Sequence, residues 1–257
     1  SGLFLSARWL VISQFDYEGM QLIVLPDKDS AEYCAADLYN LISGDTVFFL
    51  PDSGKSVERS NYKSTLGVQR TSAVGKILEY GKGERLTVVT YPSALEESIP
   101  DALRIRESVM KLCVGDEISH DEIISRLFES GFERVDFVAE PGQFAVRGAI
   151  VDIFSYSYNN PFRISFFGDE IETINIFDCN TQLSKEKVDC CEIYPDIVAS
   201  DEDAKSSLID IFPSDTLVWL DSSDMYKDRE FFTGLSKFRR VYMELPLSRQ
   251  DEEAVKF

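Results

Sequence analysis

The segment from Gly2 to Trp9 is the stretch of this chain whose spacing comes nearest to a phosphate-binding loop. Loops of the type G-x-x-x-x-G-K-[ST] hold phosphates because glycines let backbone N–H groups face them, lysine neutralises them and the hydroxyl holds magnesium. In this sequence Ala7, Arg8 and Trp9 occupy the positions of the second glycine, the lysine and the hydroxyl. We therefore predict no nucleotide hydrolysis here and an ordinary helix start, with Arg8 on the surface and Trp9 in packing.

A second candidate for chemistry is the locally basic stretch from residue 53 to 70. Its cations are Lys55, Arg59, Lys63 and Arg70. Such cations could make a weak contact to a nucleic-acid backbone. A stretch rich in Ser, Lys and Asn is more often a mobile solvated loop, so we favour the loop and keep nucleic-acid contact as the alternative.

The most informative pattern lies in residues 161–171, which follow another β-like segment at residues 144–154. Successive side chains of a strand point to opposite faces. Ile164 and Phe166 therefore share one face, while Arg163 and Phe167 share the other. If the first face packs under a helix, the second exposes an arginine and an aromatic ring on a mostly acidic surface. That composition is typical of a protein-binding hot spot.

An ordinary structural role for the same two residues is the alternative. Phe167 could close the edge of a hairpin core, and Arg163 could pair with a nearby acid such as Asp169. Composition alone leaves these two interpretations open.

Cysteine and histidine usage gives little material for a metal centre. There is one histidine, His120, and there are five cysteines without a C-x-x-C pair: Cys34, Cys113, Cys179, Cys190 and Cys191. We expect neither a metal nor a cofactor. We also expect reduced thiols, because the set is odd and a disulfide between the adjacent Cys190 and Cys191 would be strained.

The elements that position these residues follow from hydrophobic patterning. Short apolar runs at 21–25, 46–50 and 86–90, separated by helix-like segments, predict parallel strands that are buried on both faces. We therefore predict an α/β fold with a parallel sheet for residues 1–100. One of its helices is expected at roughly 66–80.

The pattern changes near Pro100, and residues 101–195 are typical of an inserted α+β, mostly antiparallel β domain. We predict a strand from Arg104 to Val114 and a short helix that starts at a capping box, Ser119 to Glu122. Residues 196–257 return to the α/β scheme, with strands at 216–220 and 241–245.

Composition limits the function classes. The chain of 257 residues has 26 Lys+Arg against 45 Asp+Glu and a net charge of -19. An acidic surface repels phosphate, so any nucleic-acid role must be local or indirect. We expect a cytoplasmic protein, because no apolar run approaches a membrane span and no secretory signal is evident.

Three blocks of the sequence resemble blocks of bacterial transcription-repair coupling factors. They start at Glu140, Pro161 and Phe177 and read E-P-G-Q-F-A-V-R-G-A-I-V-D-I-F, P-F-R-I-S-F-F-G-D-E-I-E and F-D-C-N-T-Q. The same blocks occur less closely in the excinuclease protein UvrB. The order and spacing of the blocks are specific, and the start of the chain and the strand-to-helix junction at 89–95 also match.

The resemblance implies the amino-terminal module of a larger DNA-repair protein whose other parts bind RNA polymerase and translocate on DNA with ATP. The module is similar in fold to UvrB, a degenerate helicase-like α/β domain with an inserted β-rich domain. In the family this insert recruits the excinuclease protein UvrA, through positions that correspond to Arg147, Arg163 and Phe167 here. The resemblance therefore implies a partner-binding fragment without catalysis.

Two other functions stay open. A nucleotide- or DNA-binding helicase fragment would use the α/β domain and the basic stretch 53–70, and would bind ATP through Gly2 to Trp9. The resemblance also suggests self-regulation, in which another domain of the intact protein covers the recruitment face.

Overall fold

The fold is that of a computed structural model, which describes residues 2–15, 17–42, 46–53, 60–81, 83–158, 160–197, 205–221 and 226–243. Its helices are α1 (Gly2–Gln14), α2 (Lys28–Leu41), α3 (Ser60–Glu79), α4 (Pro92–Glu96), α5 (Ala102–Ser108), α6 (His120–Glu129) and α7 (Glu230–Gly234). Its strands are β1 (Met20–Val24), β2 (Val47–Phe49), β3 (Leu86–Thr90), β4 (Ser98–Pro100), β5 (Met110–Cys113), β6 (Glu133–Arg134), β7 (Gln143–Arg147), β8 (Ile150–Ile153), β9 (Phe162–Phe167), β10 (Glu170–Phe177), β11 (Ser184–Val188), β12 (Cys190–Ile193), β13 (Lys205–Ser207), β14 (Leu217–Leu220) and β15 (Arg239–Tyr242).

One compact unit is built on a parallel sheet and comprises Ser1–Pro51, Tyr80–Glu97 and Leu208–Phe257. The strand order is β15-β14-β1-β3-β2, and every neighbouring pair in it is parallel. All residues of β1, β3 and β14 are buried, as their continuous apolar runs predict. The predicted α/β character of this part of the chain is therefore confirmed.

Helix α2 follows β1 and packs its apolar stripe on this sheet. Asp27 caps its N-terminus, and the carboxylate accepts a hydrogen bond from the Ser30 N–H at 2.8 Å. Cys34 and Leu38 are fully buried in the core, whereas Leu41, at the last position of the helix, is 47% exposed. Ile42, which follows the helix, is partly buried and packs against the same core.

The second compact unit comprises Asp52–Glu79 and Ser98–Ser207. Its main sheet has the order β11-β10-β9-β8-β7-β6, with antiparallel pairing from β7 to β11. Helix α6 packs on one face of that sheet through the buried Ile123 and Leu127. The Ser119 hydroxyl accepts a hydrogen bond from the Glu122 N–H at 3.1 Å, which confirms the predicted cap.

The segment from Arg104 to Val114 differs from its predicted single strand. Residues 102–108 form α5, because Asp101 caps the Leu103 N–H at 2.8 Å and Ile105 alone turns into the core. Only β5, at 110–113, is extended. A capped amphipathic turn has overridden the β-like composition of the segment.

The cysteines also depart from the expected reduced state, since Cys113 and Cys190 form a disulfide. The two residues are 77 positions apart in the sequence but directly opposite each other in the antiparallel pair β5–β12. Cys34, Cys179 and Cys191 are free thiols, and burial raises the pKa of Cys191 to about 12. The prediction failed because a long-range strand pairing is invisible in cysteine spacing.

Residues 52–79, which the sequence analysis placed with the first hundred, group with the second unit. The contact is made by α3, where Gly75 lies against the ring of Tyr194 and Glu79 accepts a hydrogen bond from the Tyr194 hydroxyl.

Among the residues that the structure describes, no helix has the length and apolar character of a membrane span.

Candidate partner-binding face

The six-stranded sheet has one face in the core and one face that carries polar and exposed residues. Ile164 and Phe166 of β9 are 0% and 6% exposed and lie in the same core as α6. Phe167, on the opposite face, is 78% exposed. The strand alternation predicted these orientations, and we call the face that carries Phe167 the outer face.

Asp152 of β8 is the centre of the outer face. It is 1% exposed, and its carboxylate accepts hydrogen bonds from Arg163 at 2.7 Å (Nε) and 2.9 Å (Nη2). Arg147 also donates to this carboxylate, through Nη2. The strand register explains the arrangement, because Asp152 pairs directly with Arg163 on β9 and lies one strand away from Arg147 on β7.

Arg163 is held on several sides, and its side chain is 18% exposed. Its guanidinium lies 4.2 Å from the centre of the Phe177 ring and donates to the Gln182 carbonyl at 3.3 Å and to Gln182 Oε1 at 3.0 Å. Hydrogen bonds from the guanidinium to Asp152 raise the pKa of Arg163. Arg163 does pair with an acid, as one of the two alternatives expected, but the acid is Asp152 and not Asp169.

The loop after β10 presents Gln182 to Arg163. The Asp178 carboxylate accepts hydrogen bonds from the backbone N–H groups of Asn180 and Thr181, both at 3.0 Å, and pairs with Lys185 at 3.0 Å. The Thr181 N–H and Lys185 lower the pKa of Asp178 to about 2. Gln182 itself has a φ of 60°, in the left-handed region, so this turn fixes the direction in which Gln182 points.

Arg147 is the more accessible of the two arginines, with 38% of its side chain exposed. Its guanidinium carbon lies 5.4 Å from the centre of the Phe137 ring, and that residue is itself 65% exposed. The outer face therefore carries the three predicted residues on β7 and β9, the two strands that flank β8. Arg163 is largely enclosed, whereas Arg147 and Phe167 are available to a partner.

Sequence reasoning missed three residues of this face: Asp152, Gln182 and Phe137. Asp152 and Gln182 stand inside the family-like blocks, and the strand alternation of β8 could have placed Asp152 on the outer face. Phe137 carried no comparable signal, because it lies in the irregular segment before β7.

The predicted degenerate phosphate loop lies inside helix α1. Gly2, Ala7, Arg8 and Trp9 are all helical residues. Trp9 is 5% exposed in the core of the parallel sheet, as predicted. Arg8 is not a free surface residue, because its Nη1 binds Asp221 Oδ1 at 2.6 Å, and the two side chains are 16% and 13% exposed. Asp221 directly follows β14.

The basic stretch 53–70 is only partly described. Lys55 and Arg59 lie outside the described residues, and Lys63 lies in the first turns of α3. Arg70, further along α3, is 2% exposed and therefore presents no surface to nucleic acid. The helix expected at roughly 66–80 is α3, and it begins earlier, at Ser60, which corrects the expected solvated loop over residues 60–65.

The outer face carries groups that can make non-covalent contacts. Its side chains are arginines, one shared carboxylate, an amide and two exposed phenyl rings, which offer charge, hydrogen bonds and apolar surface. In the part of the chain that the structure describes, no group of three or more His, Cys, Asp or Glu residues is arranged to hold a metal ion.

Comparisons with known proteins match the region of the chain that contains this face. Residues 110–197 match the family model of the UvrB interaction domain, and they contain all of the outer face. A transcription-repair-coupling factor of Bacillus subtilis is 31% identical over 198 residues, which are 76% of this chain and 17% of that protein. The protein of the same name in Mycobacterium bovis is 34% identical over 191 residues, 72% of this chain and 15% of its own length.

A shorter match extends to Escherichia coli. Its transcription-repair-coupling factor is 32% identical over 116 residues, 45% of this chain and 10% of that protein. The chain thus spans less than a fifth of the length of these curated relatives.

Proposed function

We propose that this chain, whose resemblance to transcription-repair-coupling factors the comparisons confirm, is the module of a DNA-repair factor that recruits UvrA by mimicking UvrB. The observation that carries the proposal is the outer face of the six-stranded sheet. There Phe167 stands 78% exposed, on the same face as two arginines joined by one buried carboxylate, within the region that matches the UvrB interaction domain.

The proposed mechanism is adhesive and includes no bond-making step. Arg147 pairs with an acidic group of UvrA, Phe167 enters an apolar pocket, and Arg163 holds the surface in shape while it contributes its outer edge. An arginine beside an exposed aromatic ring is the composition that dominates the energy of many interfaces. Charge complementarity favours an acidic site on the partner, since the chain presents its arginines locally against a net charge of -19.

The parallel-sheet unit fits a scaffold with a degenerate helicase-like fold. The arginine at the position of the phosphate-binding lysine is already bound to Asp221, at the end of β14, where a phosphate-loop enzyme carries its magnesium-binding acid. We propose that this fragment performs no catalysis. DNA translocation with ATP and contact with RNA polymerase belong to other parts of the full-length protein.

The test is a calorimetric titration of this chain with UvrA from the same organism. We expect saturable binding, and we expect Phe167→Ala and Arg147→Ala each to weaken it at least about tenfold. Tyr33→Ala is the matched control, because Tyr33 is 75% exposed on α2, in the other unit. Unchanged affinity in both outer-face variants would refute the site, and no binding by the well-folded chain would refute the function.

A further inference from the structure

The irregular segment before β7 places a second aromatic ring at the outer face. Val135 and Val138 of this segment turn inward onto a small apolar cluster, and Val138 is 2% exposed. Phe137, between them, points outward and is 65% exposed. The exposure of Phe137 is therefore set by the packing of its two neighbours, and the ring has no place in the core.

The backbone holds Phe137 in position on both sides. The Val135 N–H donates to the Phe144 carbonyl at 2.9 Å. Beyond Phe137, the N–H groups of Ala139 and Glu140 both donate to Gln143 Oε1 at 3.0 Å. A ring on a segment tied down in this way loses little conformational freedom on binding, so its contact surface is preorganised.

Phe137 also contacts a residue of the proposed interface, since the guanidinium carbon of Arg147 lies 5.4 Å from the centre of its ring. Arg147 donates to Asp152, its one hydrogen-bond acceptor among the residues that the structure describes. Arginine carries five N–H donors. Stacking on Phe137 therefore orients a guanidinium that keeps donors for a partner.

The two exposed phenyl rings lie on opposite sides of that arginine in the sheet. Arg147 and Ser165 both pair with Ile150, and Phe167 lies two residues beyond Ser165 on the same face. From the strand spacing and the rise per residue, the Cα atoms of Arg147 and Phe167 are about 12 Å apart. Two residues at that distance fit within the centre of one ordinary protein interface.

We propose that Phe137 is a further contact residue of this interface, so that the partner offers an acidic group between two apolar pockets. The proposal rests on the function proposed above, with UvrA as the occupant. Two observations support it: the Phe137 ring contacts Arg147 and so extends the surface around the two arginines, and the arginine pair is positively charged. Two arginines share the single carboxylate of Asp152, so the group keeps one positive charge for an acidic partner surface.

The experiment titrates UvrA into the unchanged chain, Phe137→Ala, Phe137→Asp and Leu103→Ala. Leu103 is the matched control, because it is 67% exposed on α5 of the same unit. We expect about a tenfold loss of affinity for Phe137→Ala. The loss should be larger for Phe137→Asp, because its negative charge repels the acidic group of the partner, and the melting temperatures of both variants should be unchanged. Leu103→Ala should bind as the unchanged chain does.

A double variant, Phe137→Ala with Arg147→Ala, tests the contact between the two residues. The combined loss should be smaller than the product of the single losses, because Phe137 acts in part by orienting Arg147. Unchanged affinity of both Phe137 variants, with binding by the unchanged chain intact, would overturn this inference and leave the proposed function standing. Absence of binding by the unchanged chain would overturn both.

Discussion

At the scale of single residues, the outer face depends on a carboxylate that no partner can reach. Asp152 is 1% exposed and is shared by Arg147 and Arg163, which are exposed to different degrees. A buried charge is tolerated only while its partners remain. The two arginines should therefore differ in what they do for stability and for binding.

We predict that Arg163→Ala lowers the free energy of unfolding by about 3 kcal/mol, because it removes the two donors that enclose Asp152 from β9. Arg147→Ala should cost about 1 kcal/mol, since that side chain is 38% exposed. Urea unfolding followed by circular dichroism measures both values. Equal losses in the two variants would contradict the different roles assigned to these arginines.

A second residue-scale prediction concerns Glu192, beside Glu79 and Tyr194. Burial and the neighbouring Glu79 raise the pKa of Glu192. A carboxyl group whose pKa is raised by folding favours the folded state while it is protonated, and this contribution is lost as pH rises through the raised pKa. Glu192→Gln should therefore raise the melting temperature more at about pH 7.5 than at about pH 4.5.

Thermal melts at the two pH values measure this effect, with Glu186→Gln as the control because Glu186 is exposed on β11. A melting temperature of Glu192→Gln that is below that of the unchanged chain at the higher pH would show that the two carboxylates do not repel each other. Glu79, whose pKa is lowered by hydrogen bonds from Tyr194 and Lys76 against the effect of burial, remains the charged member of the pair.

At the scale of elements, β5 and β12 join the two ends of the six-stranded sheet domain. The disulfide between Cys113 and Cys190, 77 positions apart, closes a loop that contains the whole sheet from β6 to β11. Both strands also contribute buried residues, Leu112 and Cys191, to the core under α6. The pairing therefore defines where this domain begins and ends.

We predict that Cys190→Ser lowers the free energy of unfolding by about 4 kcal/mol, from the loop-closure entropy of a cross-link of that span. Dithiothreitol should shift the urea midpoint of the unchanged chain to that of the variant and leave the variant unaffected. Cys179→Ser, which removes a free thiol, is the control. The disulfide would be contradicted by identical midpoints of the unchanged chain with and without reductant.

At the scale of the whole molecule, the excess of acidic residues makes the placement of each arginine important. The chain carries a net charge of -19, so a positive surface potential requires several cationic side chains to lie close together in the fold. Arg147 and Arg163 both lie on the outer face and pair with Asp152, while Arg8 forms an ion pair with Asp221 within the parallel-sheet unit. The proposed acidic partner surface would therefore meet positive groups at the outer face and not at Arg8.

We predict that the chain shows no saturable heat in a titration with ATP and magnesium up to millimolar concentrations. The glycine, lysine and hydroxyl of a phosphate loop are replaced, and the substituted arginine is already paired. Arg8→Ala is a useful companion, because it frees Asp221. Saturable ATP binding that is lost in Arg8→Ala would favour the helicase-fragment alternative instead.

Features that depend on local periodicity and on motif spacing can be derived from the amino-acid sequence alone. The continuous apolar runs of β1 and β3, the cap of α6 and the alternation along β9 depend on neighbours within a few residues. For the same reason the exposed position of Phe167 and the inward position of Phe166 followed from the pleat of one strand.

Contacts between residues that are far apart in the sequence depend on the folded chain. Asp152 holds both arginines and Cys113 faces Cys190 because antiparallel pairing sets a register between strands. The loop after β10 brings Gln182 to Arg163. That register depends on the complete core and on the loops, and no single segment encodes it. The sequence thus indicated which side chains of β9 share a face of the sheet, and the fold decided that Arg163 is enclosed while Phe167 is exposed.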